Sequence, residues 1–477
     1  MERQLIYPME EKYEEYLMDE SKMVGKADSI SFPINEEEIL EIIVKMKERN
    51  MPITVQGGKT GISACAVPSK GHILNLSNMN QVKEFIKNDM GDTLLKVEPG
   101  VTLLELKKAI RRLKNKEELF WPPDPTESSA TIGGIASCGA KGICSYLYGD
   151  SGKYIEGIRV IGSDGTVKEI KRGETTIPFN GREKDLIDIY LGGEGMFGIL
   201  TELTLKLQPK PTDLWGISFF FENKEDVFAF VDNLMKEDIE DEGASIAAVE
   251  YIDRATINRI QERKEVMTKL KELPDVDPQF SAMIYIEIHG KKEESIEEVA
   301  EILMEMAMDF NSDPDRAWAV SGDTDIEKMR VFRHAAAESA NLFIEKMRQE
   351  IPCITKLGTD MSLEGENFGS VIRKYESDIE KEELKACIFG HACGNHIHVN
   401  ILPGNHEEYK KGWKLFEKWA KEIAEKKGKV VTEHGVGKLK KSMFLQTAPK
   451  DYIEAVKRLK DTYDSIRMFN PGNMIEE

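Results

Sequence analysis

Apolar and polar positions follow two periods along this chain, and their succession predicts its elements. Over residues 35–50, "NEEEILEIIVKMKERN", Ile39, Ile42, Ile43 and Met46 recur at the spacing of one helical face. Asn35 stands where an N-cap side chain belongs, and Glu38 where a capping box places its carboxylate. The runs "PITVQ", "HILNL" and "TLLKVEPG" follow, each bounded by turn residues and read as a strand. A second helix is predicted in "VTLLELKKAIRRLK", with Thr102 and Glu105 as its capping box. Residues 28–120 therefore read as a small α/β unit.

From 121 to 165 the periodicity gives way to a stretch dense in Gly, Ser, Thr and Pro, yet too varied for a flexible linker. "IRVIGSDGTVKEI" then predicts a hairpin about an Asp-Gly turn, and "ILTELTLKL" an alternating strand. Pro209 and Pro211 mark a boundary. Beyond it, "WGISFFF" and "FSAMIYIEIHG" read as strands separated by charged helical stretches, which fits an α+β domain with an antiparallel sheet. In "HIHVN" the strand period puts His396, His398 and Asn400 on one face. From about residue 404 the pattern is helical, and no internal repeat of fixed period is visible.

Composition narrows the partners more than the fold. A chain of 477 residues predicts two or three domains. With 40% hydrophobic and 31% charged residues it reads as soluble and globular, and a net charge of −20 argues against a nucleic-acid partner. "MERQLIYPMEEKYEEYLMDESK" lacks the apolar run of a signal peptide, and no stretch approaches the length of a membrane span, so a cytoplasmic location is expected. Cys65, Cys138, Cys144, Cys353, Cys387 and Cys393 form no CxxC pair. That spacing predicts reduced thiols and excludes an iron–sulfur cluster ligated by this chain alone, so electrons must come and go by another carrier.

Two kinds of segment carry chemistry. "VQGGKTGISACAVP" sets Gly57, Gly58 and Gly61 directly after a strand, with Thr60 and Ser63 adding hydroxyls. Such a loop can turn its amides inward as an anion nest, or can be a tight turn that binds nothing. "ATIGGIASCGAKG" and "GGEGMFGILTE" repeat the texture, and three such loops point to a large phosphate-bearing cofactor lying along a crevice. The second kind is "GHACGNHIHVN", with three of the chain's eight histidines, and a later "TEHGVGK" with Glu433 and His434. Imidazoles and a carboxylate could hold Zn²⁺ or Fe²⁺, and hydrogen-bonded histidines in a polar core are the plainer alternative. His391 lies an odd number of residues from His398, but the turn "ACGN" can bring both to one side.

The order of "GGKTG", "PPDP", "ATIGG", "YGD" and "GGEGMFGILTE" resembles the FAD-binding domain of the vanillyl-alcohol oxidase and p-cresol methylhydroxylase flavoproteins. Within it the chain is similar to the FAD-linked D-2-hydroxy-acid dehydrogenases, over roughly residues 28–475. The resemblance implies an α+β fold: an N-terminal helical extension over 1–27, a two-subdomain FAD-binding domain over 28–210, a substrate domain with an antiparallel sheet over 211–415, and a helical segment over 416–477 that returns to the flavin.

Position by position, it implies that Gly57, Gly58, Lys59, Thr60, Gly61 and Ser63 hold the FAD pyrophosphate. Pro122, Asp124, Thr131, Ile132, Gly134, Ser137 and Gly142 would line the flavin and ribityl region. Glu194, Gly198 and Ile199 would meet the adenine end, and Asn470 in "FNPG" would contact the flavin. The loop has no histidine to tether FAD, so noncovalent binding is expected. His391, His398 and Glu433 align with ligands of a divalent metal, Zn or Fe, and His434 with a catalytic base. Arg333 and Lys356 match the cations that hold a substrate carboxylate, and His396 stands where the family's pattern has asparagine. The activity implied is oxidation of a D-2-hydroxy acid, D-lactate first, with electrons passed to an electron-transferring flavoprotein, a quinone or a cytochrome. Glycolate or D-2-hydroxyglutarate as substrate, and a non-catalytic electron-transfer subunit, are the rival readings.

Overall fold

Asn35 opens the first long helix as its spacing predicts. In the structure, a computed structural model, its side chain accepts the Glu38 amide and the helix Glu36–Glu48 buries Ile39, Ile42, Ile43 and Met46. The capping box is not reciprocal, because the Glu38 carboxylate takes the amide of Ile34 and the guanidinium of Arg3 instead. At Leu103–Arg111 the box is complete, with Thr102 and Glu105 exchanging both bonds. The residues described are 3–113, 118–237, 239–241, 243–264 and 270–476, so Lys114, the last residue of the second helical reading, lies outside them.

The described chain forms two compact units. The first comprises Met1–Gly142, Gly149–Lys210 and Glu433–Glu477, and the second Ile143–Tyr148 with Pro211–Thr432. The sequence reading carries the substrate domain to 415. The second unit runs on to Thr432 because Lys429 pairs with Ser362 beyond the helix His406–Glu425.

In the first unit the strands that look like one α/β unit divide between two sheets. Ser29–Ser31 and Ile53–Gln56 flank His72–Asn75 in parallel, and Tyr7–Pro8 adds an antiparallel edge. Residues 3–27 thus supply this edge strand and a 3-10 turn, Glu11–Leu17, where a helical extension was expected. Val82–Lys87 and Thr93–Val97 instead join Ile199–Lys206, Ile155–Ile161 and Val167–Lys171 in a five-stranded antiparallel sheet. The expected hairpin is there: Ile161 faces Val167 across a turn in which Gly165 takes φ +86. The apolar face of Glu36–Glu48 packs with Ile53 and Leu74 of one sheet and with Ile161 and Ile199 of the other. Phe469, fully buried, brings the C-terminal segment back beside Ile53.

The second unit is built on an eight-stranded antiparallel sheet. Its order is Trp318–Ser321, Asp213–Phe221, Ala282–Gly290, Ala244–Asp253, Ala386–His391, His396–Ile401, Met361–Ser362, with Glu240–Asp241 off the path. All nine residues of Ala282–Gly290 are buried, so the alternation of buried and exposed positions is lost, as it must be when both faces are covered. Phe332, Ala335 and Ala336 of the helix Asp323–Arg348 share one core with Phe220, Ala248, Tyr285 and Phe389 of the strands.

Candidate functional site

The three glycine loops of the first unit converge on one another. A side chain at Gly57 would start 2.2 Å from Thr131 Oγ1, and one at Gly58 would meet the Ser129 carbonyl at 2.9 Å, so the first loop lies against the second. The third loop caps the second, because Gly192 N donates to Ala136 O at 2.9 Å and Glu194 N to Ser137 O at 2.8 Å. Gln56 pins the first loop by donating to the carbonyls of Tyr16 and Ala66, and Asn75 donates to Gly57 O.

Among the described residues, the amides of Gly58, Lys59, Thr60 and Gly61 donate to no protein acceptor. Ser63 Oγ is buried and also unpartnered there. Unspent donors on a fixed glycine loop are what a bound pyrophosphate satisfies, so these residues fit the cofactor implied by the sequence. Lys59 points away from this role: φ +58 and an ion pair with Glu15 at 3.2 Å set its ammonium over the Tyr16 ring.

The other cofactor candidates take varied positions. Thr131 caps the short helix Ile132–Cys138 by accepting from Gly134 N, and Ile132 is fully buried. Gly142 lies against the backbone of Asp124, whose carboxylate pairs with Lys107 at 2.6 Å, and Pro122 is buried. At Gly198 a side chain would start 2.6 Å from Val160, and Ile199 sits in the apolar core, so both serve packing.

Glu194 is fastened within the protein. Its carboxylate accepts from Val436 N at 2.6 Å and from Gly437 N at 3.1 and 3.0 Å, while burial pushes its pKa up against the pull of those amides. Asn470 accepts from Val55 N at 2.7 Å and donates to Glu194 O, which ties the C-terminal segment to both the first sheet and the third loop. Asn473, which the sequence reading missed, adds a bond to Cys65 O at 3.0 Å. Glu433 and His434 head this same segment, with Glu433 Oε1 3.3 Å from His434 Nε2.

In the second unit the histidines gather on one sheet face. The strands Ala386–His391 and His396–Ile401 pair with His391 opposite His396 and Phe389 opposite His398, so the intervening turn does bring His391 to the side of the other two. His391, His396 and His398 offer ring nitrogens within 4.8 Å of one another, and Asp360 brings a carboxylate oxygen within that distance of His398. His396 Nε2 lies 3.0 Å from Asp360 Oδ1, and Thr432 N donates to the same carboxylate. His398 Nδ1 donates to Thr359 O at 3.2 Å, which selects the tautomer with its lone pair on Nε2. Three imidazoles with carboxylates around them form a donor set of the kind that binds Zn²⁺ or Fe²⁺, so this face fits the implied metal.

Two carboxylates on this face carry no warning in the sequence. Glu250, fully buried on the strand Ala244–Asp253, hydrogen-bonds His391 Nδ1 and Arg333 Nε; burial pushes its pKa up, but the Arg333 guanidinium and the bond from His391 outweigh it and hold it down to about 2. Glu287 takes Arg330, Tyr285 at 2.9 Å and His289 at 2.7 Å, and Tyr148 closes on His289 Nδ1 at 2.7 Å. Each sits inside an apolar strand run, where only the partner's position distinguishes a functional carboxylate from a burial error. Lys356 is buried and donates to Asn341 at 2.7 Å. A side chain at Gly358 would start 3.2 Å from Lys356 Cε and 2.9 Å from Asn400 Oδ1. Asn400 Oδ1 is buried and has no hydrogen-bond partner among the described residues.

Two families match this chain: FAD binding domain over residues 27–171, and FAD linked oxidases, C-terminal domain, over residues 216–474. Glycolate oxidase subunit GlcD of Bacillus subtilis is 25% identical, over 94% of this chain and 88% of its own. The D-lactate dehydrogenase of Anaerostipes hadrus is 24% identical, over 97% and 92%. The D-2-hydroxyglutarate dehydrogenase of Stutzerimonas stutzeri is 24% identical, over 96% and 93%. Among solved structures, p-cresol methylhydroxylase with substrate bound shares the fold with a TM-score of 0.73 at 16% identity, covering 99% of this chain and 94% of that one. Among the described residues no helix is long and apolar enough to cross a membrane.

Proposed function

We propose, from the premise that this chain belongs to the family of FAD-linked oxidases, that it oxidises a D-2-hydroxy acid to the 2-oxo acid, with D-lactate the first candidate. FAD, when bound, supplies the hydride acceptor, and a divalent ion, Zn or Fe, supplies a Lewis acid for the substrate hydroxyl. Gly57 to Gly61 with Ser63 would hold the pyrophosphate, and His391 and His398 the ion. The motif "TEHG" adds Glu433 as a further ligand and His434 as the base, and these two assignments rest on sequence.

The protein's own groups then divide the work. Arg333 and Lys356 hold the carboxylate, the first through a planar fork and the second as a point charge. His434 takes the hydroxyl proton on a ring nitrogen, a contribution of roughly 10²- to 10⁴-fold. His396 orients through Asp360. The electrons pass onward to a separate acceptor, such as an electron-transferring flavoprotein, a quinone or a cytochrome.

The observation that carries this reading is Asn400. A buried carbonyl oxygen without a donor costs about 1–3 kcal/mol, and this one lies on the strand of His396 and His398, beside the stem of Lys356. A hydroxyl-bearing ligand satisfies it. The test is an anaerobic titration of the metal-replete, FAD-loaded protein with D-lactate, then L-lactate, glycolate and D-2-hydroxyglutarate, following the oxidised flavin absorption. Bleaching by a D-2-hydroxy acid and not by its L isomer is expected. A yellow protein that no 2-hydroxy acid bleaches would overturn the reading.

A further inference from the structure

We propose that Glu250 is a positioning residue that serves two partners at once: it fixes the tautomer of His391 for metal binding and it aims Arg333. The inference rests on the metal reading of His391 and His398 given above. Its basis is geometric. Glu250 faces His391 directly in the strand register, is fully buried, and has one oxygen on His391 Nδ1 and the other on Arg333 Nε. Phe389, next but one along the strand from His391, lies under the guanidinium, with Arg333 Cζ 4.9 Å from the ring centroid.

A carboxylate is an acceptor at both oxygens, so it requires a proton on His391 Nδ1 and leaves the lone pair of that ring on Nε2. Bonding Arg333 through Nε leaves the terminal nitrogens as the edge that can meet a substrate carboxylate. His398 reaches the same tautomer by another route, its Nδ1 donating to Thr359 O, so two imidazoles of one face are set alike by two different acceptors. Such outer partners of metal-binding histidines commonly govern affinity by 10- to 100-fold.

Glutamine at position 250 separates this role from mere filling of space. It keeps the shape but offers one acceptor and one donor. Arg333 is always charged and can only donate, so it captures the amide oxygen, and the amide NH₂ turns to His391 Nδ1. The ring proton must then move to Nε2, where it blocks the metal. In FAD-loaded, chelator-treated protein titrated with Zn²⁺, Glu250→Gln should bind roughly 10- to 100-fold more weakly. The double variant Glu250→Gln with Arg333→Met returns the amide oxygen to His391 and should recover most of that loss, while turnover of the 2-hydroxy acid stays low.

Wild-type affinity in Glu250→Gln, or a double variant as weak as the single one, would overturn the proposal. A wild-type protein that binds no Zn²⁺ would instead overturn the metal reading beneath it. Nitrogen-15 spectra of histidine-labelled, metal-free wild type test the same claim without a substitution. They should show His391 protonated at Nδ1, and an Nε2–H tautomer there refutes it.

Discussion

At Glu194 one side chain closes a loop over another. Its carboxylate receives the amides of Val436 and Gly437, and its backbone oxygen receives Asn470, so alanine there strands two buried N–H groups at about 1–3 kcal/mol each. Glu194→Ala should therefore release FAD more readily and melt earlier, read as flavin content after gel filtration and as Tm; wild-type flavin retention would refute this. His72 sets a pH limit. Burial in its sheet, with one contact to Ser29 Oγ at 2.9 Å, lowers its pKa from an ordinary 6.5 to about 3. Above pH 6.5 the ring is neutral folded and unfolded, so it costs nothing. As pH falls from 6.5 towards 3 the unfolded chain takes up a proton that the folded one refuses, and stability drops by about 1.4 kcal/mol per pH unit from this group. His72→Gln should flatten the fall of Tm with acidification in that window, and an unchanged slope would show that other groups dominate. In sequence these residues were unequal. The glycines of the first loop and the three histidines of one stretch could be named, because their chemistry is written in spacing. Glu250, Glu287 and Asp360 could not, since a lone acid in an apolar run acquires meaning only from what folds against it.

At the scale of elements, the sheet of the second unit carries two carboxylate–arginine pairs beneath the helix Asp323–Arg348: Glu250 with Arg333 and Glu287 with Arg330, one helical turn apart. Removing one partner of such a pair leaves a buried charge, at about 3–5 kcal/mol, whereas removing both costs less. Glu287→Ala should thus destabilise the second unit more than Glu287→Leu combined with Arg330→Met, as denaturant melts would show; the reverse order would mean that the network contributes little. Phe332 is 1% exposed in the core shared by this helix and the sheet, and Phe332→Ala should cost about 3–5 kcal/mol by the same measurement. Elements of this kind were legible wherever the period was clean. Glu36–Glu48, Leu103–Arg111, the 155–171 hairpin and the strand Ile199–Lys206 all follow their patterns. What alternation could not give was partnership: "TLLKV" reads the same whether it pairs with the parallel strands before it or with Ile199–Lys206, far along the chain.

At the scale of the whole molecule, FAD should act as a folding ligand. With the Gly58–Gly61 amides unspent, cofactor at 100 times its Kd should stabilise the protein by about 2.7 kcal/mol, seen in calorimetry as a rise in melting temperature that saturates with FAD. No rise would mean that the glycine loop does not hold it. The sequence by itself determined the class of the molecule. Glycine loops of fixed order, a histidine-rich strand and an α+β succession of periods are local features, set by backbone conformational freedom and by the two helical and strand repeats, and they point to an FAD-linked oxidoreductase. Only the tertiary structure decided which strands share a sheet, that the last segment returns to the edge of the first sheet through Phe469, and that Glu250 and Asp360 stand behind the histidines. The reason is physical: pairing across hundreds of residues is settled by burial and by the need of every buried donor and acceptor for a partner, and neither is a property of any short stretch of chain.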